Sequence, residues 1–127
     1  MEPANCPFCF PEDNAIVFSN RLWYARWDAF PATQGHLLII PFRHVTGYFD
    51  LYLDEKGTLP EMFEKGKEFL DQQYSPSGYN IVINCGCAAD QKVLHCHVHL
   101  IPRYPDGREP VSGGIRGFII ERPEKVA

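Results

Sequence analysis

The chain has 127 residues, 45% of them apolar and 22% charged, which is the profile of one globular domain with enough apolar side chains for a real core. A formal charge of -4 excludes a broad basic stripe that would follow a nucleic-acid backbone, so any polyanionic ligand has to be held by local groups. The longest apolar runs, such as Leu37 to Ile40, are too short to span a bilayer, and no basic segment followed by an apolar stretch opens the chain. The expectation is a cytoplasmic protein with neither membrane nor nucleic acid as partner.

In chain order, Cys6 and Cys9 come first, in C-x-x-C spacing within an odd total of five cysteines. In a chain that is not secreted, this favours metal or redox chemistry over a disulfide framework. Ala15–Ser19 and Leu22–Trp27, separated by Asn20 and Arg21, predict an antiparallel hairpin. Pro31 and Gly35 bracket a loop, and the apolar run His36–Ile40, ended by Pro41, predicts a buried third strand. Thr58 followed by Glu61 has capping-box spacing, and Leu59, Met62, Phe63, Phe69 and Leu70 recur at helical intervals, so a helix is expected from there to about Tyr74 with Pro60 in its first turn. Pro76 and Gly78 stop it. Tyr79–Asn84 reads as a strand, and Val93–Ile101 alternates apolar and polar until Pro102. Residues 103–127 are rich in Pro and Gly and read as an irregular tail.

Short connections between successive strands and one clear helix predict an α+β domain built on an antiparallel sheet of about five strands. Gly113, Gly114 and Gly117 superficially resemble a phosphate loop, but no strand-then-helix pattern surrounds them.

On a strand of period two, His95, His97 and His99 share one face, while Cys96, Val98 and Leu100 share the other and bury against the helix. Three uses of such a row compete. The imidazoles could be polar surface. They could ligate a catalytic zinc, although no Asp or Glu lies between Asp90 and Asp106 to complete the site. Or one imidazole could attack phosphorus in line and form a covalent nucleotidyl intermediate, while its neighbours donate to phosphate oxygens or to the leaving group.

Read as H-C-H-V-H-L-I, His95–Ile101 resembles the H-φ-H-φ-H-φ-φ motif of the histidine-triad family and matches it at every position. Tyr79–Gln91 resembles the strand, Gly-rich loop and Gln that precede the triad in that family, and Gly35–His44 resembles its Pro-Lys-x-His-like turn. The similarity runs from Cys6 to about Arg103. It implies an α+β fold, dimeric with the sheet extended across the dimer, that cleaves nucleotides at the α-phosphate.

By that resemblance His97 is the nucleophile, His99 contacts the phosphate or leaving group, and His36 supports the triad from behind. Asn84 and Gln91 stand where the family binds the phosphate and bridging oxygen, and Asp28 where it binds the ribose hydroxyls; a carboxylate suits a diol. Phe8 and Trp27 are candidates to flank the base. In the branch carrying the cysteine pair, structural zinc is held by two cysteines, a histidine after the Pro-rich turn and the first triad histidine, which here are Cys6, Cys9, His44 and His95, with residues 1–12 as the knuckle of a single domain. Cys85 and Cys87 read as small loop residues.

The sequence Ile101-Pro102-Arg103 with Gly113 to Gly117 resembles bacterial dinucleoside polyphosphate hydrolases, which makes that substrate class the first expectation. Adenosine phosphoramidate hydrolysis is an alternative within the class, and a nucleotide-binding module with negligible turnover an alternative outside it. Lys92 follows Gln91 where phosphoramidase relatives carry Ser or Thr, and could attract a longer phosphate chain or stand as a solvated lysine.

Overall fold

A computed structural model of the protein describes residues 2–105. Its five strands are β1 (Phe18–Ser19), β2 (Trp23–Trp27), β3 (Leu37–Pro41), β4 (Gly78–Val82) and β5 (Val98–Arg103), and one long helix, α1 (Leu53–Tyr74), joins β3 to β4. The strands form one antiparallel sheet in the order β1-β2-β3-β5-β4. No helix among the described residues is long and apolar enough to cross a membrane.

The hairpin between β1 and β2 forms where the sequence places it, because the Asn20 side chain accepts from the backbone N–H groups of Leu22 and Trp23 at 3.0 and 2.8 Å. Strand β1 is shorter than the predicted Ala15–Ser19: Asp13–Ala15 form a 3-10 turn, and regular pairing begins at Phe18, opposite Ala25.

Helix α1 starts at Leu53, over a turn before the expected cap at Thr58. The Glu55 carboxylate accepts the Tyr52 backbone N–H at 2.7 Å and holds the Arg43 guanidinium at 2.8 Å, which caps the helix one turn early. Thr58 is thereby inside the helix, its hydroxyl donating to the Asp54 carbonyl, and Pro60 lies in the interior rather than in the first turn. Leu59, Met62, Gly66 and Leu70 form the buried stripe, and each large side chain in it is worth about 2 kcal/mol of apolar burial. Gly66 is required by closeness: a Cβ there would lie 2.6 Å from a methyl of Leu100 on β5.

The stretch expected as one strand from Val93 to Ile101 is regular only from Val98, and runs past Pro102 to Arg103. Residues 91–97 lie against 41–46: Gln91 donates to the Thr46 carbonyl, Cys96 N–H to the Val45 carbonyl at 2.7 Å, and the His95 ring meets the Pro41 carbonyl. These contacts bend the chain. Pro102 is tolerated because β3, paired with β5 up to Leu37 opposite Leu100, makes no further demand on it. Strand β4 ends at Val82 rather than Asn84.

The two faces of the sheet nevertheless follow the predicted alternation. Ala25, Leu37, Ile39, Cys96, Val98 and Leu100 pack toward α1. On the opposite face the register sets Arg26, Leu38, His99 and Val82 in one row across β2, β3, β5 and β4.

Candidate functional site

A cavity of about 500 Å³ opens on that second face, lined by His97, His99 and His36, with Asp28, Asn84 and Phe8 among its walls. The three triad imidazoles are not an exposed row. All are buried, and His95 turns away from the other two toward the cysteine pair. His97 and His99 remain neighbours, with ring centroids 5.3 Å apart.

Hydrogen bonds fix which nitrogen of each ring carries the proton. The His97 Nδ1–H donates to the His95 carbonyl at 2.8 Å, so its Nε2 keeps a free lone pair. The Ala32 backbone N–H donates to His36 Nδ1 at 2.9 Å, so the His36 proton sits on Nε2, 2.9 Å from His99 Nδ1 and 3.2 Å from Asp28 Oδ2. His99 therefore accepts at Nδ1 and carries its own proton on Nε2. Burial, the largest cause in each case, keeps these rings neutral: it pulls His36 down to about 4, with Arg103 adding to the effect, and His99 down to about 3, with His36 and His97 adding. His97 is lowered for the same first reason, against its hydrogen bond to His95.

Asp28, His36 and His99 lie close enough together to suggest an ion site. The tautomer argues otherwise, since a metal on His36 Nε2 would need its proton on Nδ1, where Ala32 already donates. The trio is a hydrogen-bonded relay, and Asp28 Oδ1 also accepts the Phe30 N–H at 2.9 Å.

The second cluster is Cys6, Cys9, His44 and His95. The His95 Nε2–H donates to the Pro41 carbonyl at 2.8 Å, leaving Nδ1 unprotonated. That nitrogen lies 3.3 Å from Cys6 Sγ, 3.5 Å from Cys9 Sγ and 3.2 Å from His44 Nδ1, and Cys9 Sγ lies 3.0 Å from His44 Nδ1. Bonds of 2.0–2.3 Å to a tetrahedral zinc imply ligand separations of about 3.3–3.8 Å, so the four atoms are close to a zinc shell. Burial and the neighbouring Cys6 push the Cys9 thiol up to about 11, a cost that a bound cation reverses. The residues fit structural zinc.

The remaining candidates divide. Phe8 packs edge-on to His97 with centroids 5.3 Å apart and lines the cavity. Trp27 lines it too, while packing on Phe69 of α1. Asn84 lies on the cavity wall, its amide 3.5 Å from the Asp90 carbonyl. Gln91 is not among the lining residues: its side chain accepts from Gly86 N–H at 2.8 Å and donates to the Thr46 and Val93 carbonyls, bracing the loop from inside. Lys92 lines the mouth, paired with Asp90 at 2.7 Å. Cys85 and Cys87 are free thiols in this loop. Gly113, Gly114 and Gly117 lie outside the described residues.

Sequence reasoning missed Arg26 and the Ala32 amide. Arg26 alternates in phase with Tyr24 on β2, a signal that acquires meaning only once that face is seen to bear the cavity.

An α+β sheet that sets neutral, tautomer-fixed imidazoles in a cavity beside a Cys2His2 cluster defines a narrow class of protein. A HIT domain model matches residues 11–106, and the chain belongs to this histidine-triad family. It is 35% identical over 111 residues to an uncharacterized 16.1 kDa HIT-like protein of Mycoplasma pneumoniae, covering 84% of this chain and 77% of that one. It is also 35% identical over 94 residues to a bis(5'-nucleosyl)-tetraphosphatase [asymmetrical] of Schizosaccharomyces pombe, covering 74% of this chain and 52% of that enzyme, about half its length. The crystal structure of a HIT family protein from Bacillus anthracis superposes with a TM-score of 0.74 at 28% identity, covering 96% of this chain and 92% of that one.

Proposed function

We propose that this protein is a nucleotide hydrolase that attacks the α-phosphate of a dinucleoside polyphosphate with Nε2 of His97. The observation that carries the reading is the His97 Nδ1–H bond to the His95 carbonyl, which aims an unprotonated Nε2 into the cavity side of the sheet. In the first step the lone pair forms an N–P bond while the bond from phosphorus to the bridging oxygen breaks, and the departing polyphosphate takes its proton from the site or solvent. In the second, water attacks phosphorus, the N–P bond breaks, and the free imidazole returns with release of the nucleoside monophosphate. His99, its Nδ1 occupied by His36, offers Nε2–H to a phosphate oxygen, and Asn84 offers its amide. Asp28 suits the ribose hydroxyls and Phe8 the base, whereas the Trp27 ring is turned to Phe69 on the α1 face.

The substrate class is supported by the name of the fission-yeast relative and by Lys92 at the cavity mouth. Zinc on Cys6, Cys9, His44 and His95 would tie the N-terminal knuckle to the segment that presents His97. A cytoplasmic homodimer belongs to the same reading; β4 is an edge strand of the sheet, open to extension. A monomer by light scattering at micromolar concentration would remove the dimer.

The deciding experiment is turnover of diadenosine tetraphosphate beside an adenosine phosphoramidate, with wild type and His97→Ala. Release of AMP and ATP from the first, lost in the variant, is the expected result. Cleavage of neither, with nucleotide still bound, would make the protein a binding module, and cleavage of only the phosphoramidate would move the substrate class.

A further inference from the structure

Most of the cavity wall beyond the histidines is apolar, formed by residues such as Phe8, Trp27, Phe30 and Leu38, yet one guanidinium stands in it. Arg26 belongs to β2, and the register places it opposite Leu38, which is in turn opposite His99. Two strand spacings therefore separate Arg26 from His99, roughly 10 Å of backbone. Its Cζ sits 5.8 Å from the centre of the Phe8 ring, which also packs edge-on against His95 and His97. No carboxylate pairs with Arg26 among the described residues, and its hydrogen bond to the Pro7 carbonyl is long, at 3.4 Å.

This placement has a direction. A nucleotide whose α-phosphate meets His97 and whose ribose meets Asp28 has its base farther from the phosphate still, on the β2 side beside Phe8. The leaving polyphosphate exits on the opposite side, where Asn84, Asp90 and Lys92 form the loop between β4 and β5. Arg26 is thus beside the base and not beside the phosphate chain. A planar fork of N–H donors next to a stacked purine discriminates by the purine's edge. Guanine presents two acceptors, O6 and N7, that the fork meets together, whereas adenine presents one acceptor and an N6 amino donor that opposes it.

We infer that Arg26 is the specificity-determining residue for the base, selecting guanine over adenine nucleotides through its guanidinium. The inference rests on the nucleotide-site reading given above.

The test is calorimetric titration of the full chain with GMP and with AMP, which need no turnover and differ in the base alone. Wild type binds GMP about tenfold more tightly than AMP, the scale of one bidentate pair. Arg26→Leu weakens GMP until the two are equal and leaves AMP within about threefold, while Arg26→Lys, which keeps the charge without the fork, does not restore the preference. Equal affinities in wild type, or tighter AMP, overturn the inference and leave the nucleotide site standing. A Leu variant that loses both nucleotides by the same factor overturns it too, since that is the behaviour of a phosphate contact. If wild type binds neither, the nucleotide-site reading itself falls and this inference with it. The wild-type comparison requires no variant to fold.

Discussion

Replacing His36 with Phe separates the support of the triad from its packing. The ring is 2% exposed, and Phe keeps its shape while removing both nitrogens. Two buried partners are stranded: the Ala32 N–H that donates to Nδ1 and the His99 Nδ1 that accepts from Nε2, each at 2.9 Å. Asp28 keeps its contact with the Phe30 N–H and partial access to solvent. At about 1–3 kcal/mol for each buried group left unpaired, His36→Phe should cost roughly 2–6 kcal/mol of unfolding free energy, read from the denaturant midpoint at unchanged slope. His99 also loses the proton that holds its tautomer, so kcat should fall roughly 10- to 100-fold, less than removal of a transition-state donor outright, with KM little changed. Its pKa should rise from about 3, because His36 is one of the charges holding it down, yet stay below 6.5, because burial is the larger cause. Histidine NMR titration reads this directly. A His36→Phe protein within about 0.5 kcal/mol of wild type would refute the relay, since the scatter of ordinary surface substitutions covers that much.

Three further outcomes follow from the same geometry. Protein made in zinc-supplemented medium should carry one zinc per chain by elemental analysis, and Cys9→Ser or a strong chelator should lower Tm by several degrees; a fully folded, metal-free protein with unchanged Tm would remove the metal. His36 and His99 are neutral when folded and titrate near 6.5 when unfolded, so the unfolded chain binds more protons between those values: stability is full above about pH 6.5 and declines as pH falls toward 4, by up to about 1.4 kcal/mol per pH unit for each ring. Flat denaturant midpoints across that window would contradict the assigned protonation. Gly66→Ala should lose about 1 kcal/mol, because overpacking Leu100 outweighs the helix propensity gained, whereas Gly57→Ala, with open space around its Cβ, should gain about that amount.

The sequence carries this fold where local chemistry decides it and misleads where tertiary contacts do. Asn20 binds its own neighbours, so the hairpin is readable at once. The period of Cys96, Val98 and Leu100 marks the core face even though the backbone bends through Val93–His95. The start of α1 was hidden because its cap relies on Arg43 holding Glu55, residues twelve apart. Thr58 and Glu61, which imitate a cap, instead bind Asn20: its amide donates to the Thr58 carbonyl and the Glu61 carboxylate. The place of Gln91 before the triad points to the phosphate, but its side-chain amide is engaged by the Gly86 N–H and the Thr46 and Val93 carbonyls. Tautomers are likewise invisible in sequence, since they depend on a carbonyl and an amide that no side-chain pattern encodes.

The two clusters meet in one residue. The His95 ring faces Cys6, Cys9 and His44, while its backbone carbonyl receives the Nδ1–H of His97. Its other ring nitrogen is bound to the Pro41 carbonyl at the end of β3, so His95 is held from the sheet as well as from the knuckle. The same knuckle places Phe8 against His97, and the Tyr24 hydroxyl clamps that phenylalanine by donating to its carbonyl at 2.6 Å. A change in the cysteine cluster therefore reaches the proposed nucleophile by two routes, the backbone of residue 95 and the ring of residue 8, neither of which touches phosphorus. Weakening the cluster should misorient Nε2 of His97 without altering its chemistry. The expected defect differs from that of His97→Ala: turnover should be reduced but not abolished, and should recover when zinc is added back.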